Sequence, residues 1–393
     1  MFFSLSDNIP RTTQYISRGT KSKDFVIDEE NLKIEFKYLT MYIDKDQKHQ
    51  SELLEQNKEL DRYKDIRCFK NNYISIGDER KYINASYIGV IFKANYFITT
   101  QAPKDKTIND FWGMVYQEKA KVVVMLCNLE EGGKKKCANY LPPENNQNVQ
   151  NIQNNQNVQT IQNNQIIQNN QNNQNNQIIQ INQNNQNNQN NQIIQNNQNN
   201  QNNQTIQNNQ NVQNIQNNQS NQNVQNIQNI QNIQNEIKIK VNQIYIEKYE
   251  DYDIRTLKLE LNNDKRTITH LHYKKWPDKG VPDINSFITF EEIIKKVDQK
   301  NKEKDDNEKE NEFHPIVVHC SAGVGRTGTF ISMFCLYKEI KMAQIDNGNG
   351  NIIQFNILNL VRKMKEMRLH MVQTFEQYKF IYQFAKYLLD KYN

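Results

Sequence analysis

The run His319-Cys320-Ser321-Ala322-Gly323-Val324-Gly325-Arg326-Thr327-Gly328 places a nucleophile and a cation six residues apart, with mostly small residues between them. Glycine and alanine let successive backbone N–H groups turn inward, and a helix N-terminus behind them adds positive potential. Such a cradle suits a dianion such as a phosphate ester. Arg326 can grip two of its oxygens in a bidentate fork, a geometry closed to lysine. The same field favours the thiolate of Cys320, and a thiolate beneath a bound phosphate is placed to attack phosphorus. Ester cleavage also needs an acid for the leaving group. In Trp276-Pro277-Asp278-Lys279-Gly280-Val281-Pro282, a turn between proline and glycine carries Asp278. Its carboxyl can protonate the leaving oxygen and then take a proton from the hydrolytic water. With Asp278 in that role, His319 reads as an orienter of the loop.

These groups need a scaffold. Residues 315–318 are apolar and β-branched and predict a buried strand, while residues 329–337 predict a buried helix. The cysteine loop therefore sits at a strand-to-helix turn. Upstream, residues 25–66 predict one or two surface helices and 67–76 a loop or short strand. Residues 82–88 and 96–100 predict strands, 107–117 a helix, and 122–126 a strand covered on both faces. Residues 237–246, 254–261 and 267–273 alternate apolar with polar and predict antiparallel strands. Helices are expected over 287–297, 352–367 and 375–392, and a solvated charged loop over 298–312. The order predicts an α/β fold, a twisted mixed sheet with helices on both faces.

Composition bounds the rest. The chain has 393 residues, and positions 145–235 are nearly all Asn and Gln, with Gln at every third position from Gln147 to Gln234. A period of three matches neither a helix nor a strand, so the tract reads as a disordered insertion, with self-association through β-stacking as the sharper alternative. Lengthening a loop from about 10 to about 100 residues costs only about 2 kcal/mol, which a domain worth about 5–15 kcal/mol tolerates. Residues 25–144 and 236–393 then form one domain, preceded by a flexible segment over 1–24. The net charge of +5 is too mild to suggest a nucleic-acid partner. Five cysteines without a Cys-x-x-Cys pair predict no metal site and a reducing compartment. No signal peptide, long apolar span or lipidation motif is recognisable. A cytoplasmic protein without integral membrane association is expected, with the nucleus also open.

The cysteine loop resembles the signature loop of the protein tyrosine phosphatases, the cysteine-dependent, non-receptor type. That resemblance implies a tyrosine phosphatase-like fold and hydrolysis of phosphotyrosine in protein substrates through a cysteinyl-phosphate intermediate, without a cofactor. It implies that the amides of Ser321, Ala322, Gly323, Val324 and Gly325, with Arg326, bind the phosphate. It makes Asp278 the general acid and base, and has Thr327 hydrogen-bond the departing thiolate. Gln373-Thr374-x-x-Gln377-Tyr378 resembles the family's glutamine loop, with Gln373 holding the water and Gln377 assisting. Asn71-Asn72-Tyr73 resembles the loop whose tyrosine walls the pocket, which assigns Tyr73 to stack on the substrate ring. Glu131 resembles the carboxylate that orients the arginine, and Lys136 the lysine that touches the acid loop. Ser75 stands where many relatives have aspartate, and His370 where several have glycine.

A phosphoinositide phosphatase of the same superfamily is a competing reading, weakened because Ser321, Ala322 and Val324 are neutral. A scaffold that has lost activity is another, weakened by the intact set of Cys320, Arg326, Asp278 and Gln373. The thiolate of Cys320 is also expected to be reversibly inactivated by peroxide.

Overall fold

Runs of β-branched residues form parallel strands where both faces are covered, and three such runs lie at the middle of the sheet. The computed structural model describes residues 13–16, 20–42, 57–78, 80–90, 95–143, 239–262, 264–303, 313–345 and 355–392. In chain order the strands are β1 (Tyr73–Ile76), β2 (Lys81–Ile88), β3 (Phe97–Thr100), β4 (Val122–Met125), β5 (Glu130–Glu131), β6 (Lys134–Lys135), β7 (Lys240–Lys248), β8 (Tyr252–Leu261), β9 (Asp264–Tyr273) and β10 (Ile316–His319). The helices are α1 (Glu29–Tyr42), α2 (Ile108–Gln117), α3 (Phe287–Lys302), α4 (Gly325–Ile345), α5 (Ile357–Met367) and α6 (Phe375–Tyr392). Eight strands make one mixed sheet in the order β1-β2-β3-β10-β4-β9-β8-β7, and β5-β6 is a separate hairpin.

β10 is parallel to β3 on one side and β4 on the other, and β4 is parallel to β9. All four residues of β3, β4 and β10 are buried. The outer pairs β1–β2, β2–β3, β8–β9 and β7–β8 are antiparallel. The cysteine loop thus leaves the C-terminal end of a central parallel strand, where a sheet of this kind binds ligands, and enters the long apolar helix α4.

The chain divides into two compact units, Met1–Gln150 with Ile237–Asn393, and Asn151–Glu236. All described residues belong to the first. The Asn/Gln tract, with its expected disorder or self-association, lies outside the described residues. Among the described residues, no helix is long and apolar enough to cross a membrane.

Three elements differ from expectation. The segment expected to be loose over 1–24 is pinned at Ile16, which is buried and exchanges two backbone hydrogen bonds with Phe355 at 2.7 and 2.9 Å. That bridge holds Phe355 extended, so the helix expected from 352 starts only at Ile357, where the Asn356 side chain caps Asn359 N–H at 2.7 Å. The charged run after 297 is still helical through Lys302, because Asp298 accepts from Lys338 on α4 and from Lys302, each at 2.8 Å.

α1 fastens to α6 through a buried carboxylate. Glu35 accepts from the hydroxyls of Tyr378 and Tyr382 at 2.7 and 2.6 Å. Burial pushes its carboxyl above the ordinary range, against the pull of the tyrosine hydrogen bonds. The folded chain therefore holds this proton more tightly than the unfolded chain. The stability this contributes is full below the unfolded value of about 4.3 and is lost as pH rises through the folded value. Glu35→Gln keeps an acceptor and sheds the charge. It is expected to be at least as stable as the parent at about pH 7, with the two melting temperatures converging towards about pH 4.5. Thermal unfolding across that range checks this, and a glutamine variant that melts well below the parent at neutral pH contradicts it.

Candidate active site

The cysteine loop is shaped by glycine where a side chain has no room. Gly323 has φ +71°, and a Cβ on it would lie 2.1 Å from the Thr100 carbonyl oxygen at the end of β3. Its N–H donates to Cys320 Sγ at 3.3 Å, and Cys320 is buried at the loop's floor (4% exposed). A Cβ on Gly325 would stand 3.0 Å from the Gln377 amide and 3.3 Å from Gln373 Cβ, so the glutamine segment packs directly on the first turn of α4.

Arg326 is held rigidly. Its two terminal nitrogens donate to the two oxygens of Glu131 at 2.6 and 2.7 Å. The same nitrogens reach the carbonyls of Leu126 at 3.1 Å and Pro277 at 3.0 Å. The pairing of Arg326 with Glu131 is as the sequence suggested, and the Pro277 contact joins the arginine to the turn that carries Asp278.

Asp278 lies between Lys136 and the β5–β6 turn. Its Oδ1 is 2.8 Å from Lys136 Nζ, and its Oδ2 comes so close to Gly132 that a Cβ there would be 2.7 Å away. The Lys136 hydrogen bond and charge, with Arg326 beyond, lower the Asp278 carboxyl below its ordinary value. Trp276 anchors the segment: it is buried, its ring meets Phe290 edge-on, and its indole N–H donates to Gly280 O at 3.3 Å.

His319 is wholly buried, and desolvation pushes it down to about 3. Its Nδ1 is 3.2 Å from Cys320 O and carries the proton there. Its Nε2 therefore accepts from Tyr140 OH at 2.6 Å, while Tyr140 takes the Nε2–H of His270 at 2.7 Å. A neutral imidazole fixed at both nitrogens orients the loop and holds no proton for exchange.

The glutamine segment carries strain. His370 and Val372 have φ +65° and +56°, a conformation costly for a β-branched residue. Left-handed backbone at 370 is a conformation that glycine would adopt without the steric cost His370 bears. Val372 N–H bonds the Val324 carbonyl at 3.3 Å, tying the strained stretch to the cysteine loop. Gln373 is exposed, whereas Gln377 Oε1 accepts from the N–H groups of Gln373 at 2.9 Å and Thr374 at 3.3 Å. Gln377 thus shapes the segment, and Gln373 is left to face outward. The Thr327 hydroxyl is fully buried and has no hydrogen-bond partner among the described residues.

One assignment is corrected. Tyr73 lies on β1, in register with Ser86, with its ring 6.1 Å from that of Tyr82, and does not border the cysteine loop. Tyr63 does. Ser321 Oγ gives its proton to Lys136 O at 3.0 Å, so Tyr63 OH donates to Ser321 Oγ at 2.8 Å. Arg62 fixes the Tyr63 segment by donating to Ala102 O at 3.1 Å and Pro103 O at 2.6 Å. Ser75 is a strand residue whose carbonyl takes Gln117 Nε2 at 2.9 Å, and Asp65 stands two residues beyond Tyr63. The Tyr-x-Asp spacing was legible at 63–65, but the later Asn-Asn-Tyr run at 71–73 masked it. Arg368 supports the loop from within the core. This wholly buried guanidinium donates to the carbonyls of Gly323 at 3.1 Å and Ala322 at 3.3 Å, and to Asn84 Oδ1 at 2.6 Å.

The assembled site offers a thiol that takes the Gly323 N–H, a braced guanidinium and an adjacent carboxyl, a set suited to phosphoryl transfer. The family model for protein-tyrosine phosphatase matches residues 57–226 and 199–387. Human tyrosine-protein phosphatase non-receptor type 12 is 24% identical over 342 residues, 86% of this chain and 31% of that protein. Rat tyrosine-protein phosphatase non-receptor type 9 is 26% identical over 336 residues, 83% of this chain and 41% of that protein. The chain thus spans less than half the length of these relatives. The crystal structure of the catalytic domain of human protein tyrosine phosphatase non-receptor type 18 shares the fold, with a TM-score of 0.59 at 20% identity over 92% of this chain and 96% of that one. The family model spans most of the described residues, and the chain belongs to the protein-tyrosine phosphatase family.

Proposed function

We propose that the chain hydrolyses phosphotyrosine in proteins through a cysteinyl-phosphate intermediate. The observation that carries this reading is Arg326, forked onto Glu131 and joined to Pro277 O, which links the anion cradle to the acid-bearing turn. The substrate phosphate takes the inward N–H groups of residues 321–325 and the outer face of Arg326. Cys320 Sγ attacks phosphorus in line with the departing phenolic oxygen, and Asp278 protonates that oxygen. In the free site Lys136 favours the Asp278 carboxylate. A bound dianion beside it opposes that pull and favours the acid. In the second step the Asp278 carboxylate takes a proton from a water positioned by Gln373, and the oxygen of that water displaces the thiolate. The partnerless Thr327 hydroxyl is available to that leaving sulfur.

Tyr63, in place of Tyr73, walls the slot and stacks on the substrate ring. Its hydroxyl is tied to Ser321, which sets the wall against the loop. A phosphotyrosine ring fills such a slot, and a phosphoserine is too short to bring its phosphorus to Cys320. The substrates proposed are phosphotyrosine proteins, and no cofactor takes part. A cytoplasmic location agrees with this reading.

Cys320→Ser is expected to bind phosphotyrosine peptide while turnover falls by on the order of 10³-fold or more; retained hydrolysis rules out the nucleophile. Asp278→Asn is expected to slow poor phenolate leaving groups by about 10²–10⁴-fold and activated ones far less. A series of aryl phosphates measures this, and a uniform loss counts against the acid role.

Lys136→Met removes the group that lowers Asp278, so the acid stays protonated to higher pH. The alkaline limb of the kcat/KM profile is expected to move upward, and a downward move contradicts the assignment.

Tyr63→Ala is expected to raise KM for phosphotyrosine peptide by about tenfold, whereas Tyr73→Ala leaves KM near the parent's. Steady-state kinetics on the two variants separates the positions, and the reverse pattern restores Tyr73.

A further inference from the structure

The buried apolar side of α3 ends at Val297, and its last turn carries Lys300 and Lys302. Beside that end lies a cleft of about 160 Å³, walled by α3 on one side and by one face of β7, β8 and β9 on the other. Glu247 pairs with Ile254 across β7–β8, and Ile254 with Leu271 across β8–β9. Opposite residues of antiparallel strands share a face, so these three side chains stand in a row along the cleft. Ile254 and Leu271, with Val297 from the helix, are buried and supply its apolar floor. Lys296 and Lys300, four apart on α3, stand together at its rim. Tyr249 OH already donates to Glu247 Oε2 at 2.7 Å. The two ammonium groups are loosely engaged. Lys296 Nζ is 3.3 Å from Tyr249 OH and 3.6 Å from Glu292 Oε1, and Lys300 Nζ is 2.9 Å from Glu303 Oε2. Both of those carboxylates are about half exposed, and such pairs hold little free energy. Either lysine can therefore turn to a ligand at small cost. The phosphatase chemistry uses none of these residues.

We infer that this cleft binds an aromatic monocarboxylate, with its ring on Ile254, Leu271 and Val297 and its carboxylate between Lys296 and Lys300. Size selects the ring, because a cavity of about 150 Å³ lined by aliphatic side chains takes up benzene. A rigid ring also loses less freedom on binding than a flexible chain of similar volume. Charge selects the head group. Two ammonium groups against the one carboxylate of Glu247 leave a single positive charge in excess, which a monoanion neutralises. A phosphate dianion exceeds that charge and meets stronger repulsion from Glu247. A neutral aromatic fills the floor and leaves the lysines unused.

The test titrates the full chain, labelled at its isoleucine, leucine and valine methyl groups, with benzoate. The titration is run alone and with orthovanadate, a phosphate analogue that competes for the anion cradle at Cys320. Benzoate is expected to bind with a Kd on the order of 1 mM, to shift the methyl resonances of Ile254, Leu271 and Val297, and to do so equally with vanadate present. Benzyl alcohol, which keeps the ring and lacks the charge, is expected to bind at least about fivefold more weakly. Lys300→Ala is expected to weaken benzoate about threefold, and the double variant Lys296→Ala/Lys300→Ala about tenfold. Glu247→Gln is expected to tighten it about twofold. The methyl spectrum of each variant reports directly that it is folded. The inference is overturned if benzoate leaves these three residues unshifted, if vanadate displaces it, if benzyl alcohol binds as tightly, or if the folded double variant keeps the parent's affinity.

Discussion

The bidentate pair between Arg326 and Glu131 is the contact on which the rest of the site depends. Both side chains are nearly removed from water, at 12% and 5% exposure. Taking two charges out of water costs several kcal/mol per ion, and the pair holds only where geometry is good and the remaining donors are satisfied. Here the fork matches both carboxylate oxygens, and the carbonyls of Leu126 and Pro277 take further N–H groups. Glu131 in turn receives the Asn128 N–H at 2.9 Å. One guanidinium so joins the first turn of α4, the end of β4, the β5–β6 hairpin and the acid turn. Arginine is the residue that allows this, because its planar fork presents donors in several fixed directions.

A second buried guanidinium supports the cradle from below. Arg368 bonds the carbonyls of Ala322 and Gly323, while the Gly323 N–H turns to Cys320 Sγ. Its other acceptors are Asn84 Oδ1, Ser86 Oγ and Cys68 Sγ. Asn84 passes the connection on to Asp61 Oδ1 at 2.7 Å. The left-handed backbone at His370 and Val372, just beyond Arg368, is the local cost of bringing the arginine beneath the loop and Gln373 above it within five residues.

Neutrality is maintained where a proton would interfere. His319 and His270 share Tyr140 and are uncharged through burial. The carboxyl of Asp278 lies outside this frame, where Lys136 holds it below its ordinary value. In the reaction proposed above, separating a fixed, neutral frame from an adjustable acid lets one site serve as proton donor and then acceptor.

The central strands, the helix after the cysteine loop and the pairings of Arg326 with Glu131 and of Lys136 with Asp278 could be read from one dimension, because each rests on local pattern or on a short motif whose spacing is its geometry. The start of α5 could not, since it depends on Ile16 pairing with Phe355 from the far end of the chain. The continuation of α3 through Lys302 likewise needs Lys338 from another helix. Tyr63 and Tyr73 illustrate a related limit: the Tyr-x-Asp spacing at 63–65 and the Asn-Asn-Tyr run at 71–73 are rival signals, and only the fold shows that Tyr63 meets Ser321. Tyr63 lies in the segment before β1, which Arg62 fixes against the carbonyls of Ala102 and Pro103 about forty residues on. The buried support from Arg368 belongs to the same class, because a charge of this kind is tolerable only when distant acceptors converge on it. Residue chemistry therefore pointed to the reaction proposed above, while long-range packing decided which tyrosine meets Ser321, where the backbone turns left-handed and which carbonyls Arg368 holds.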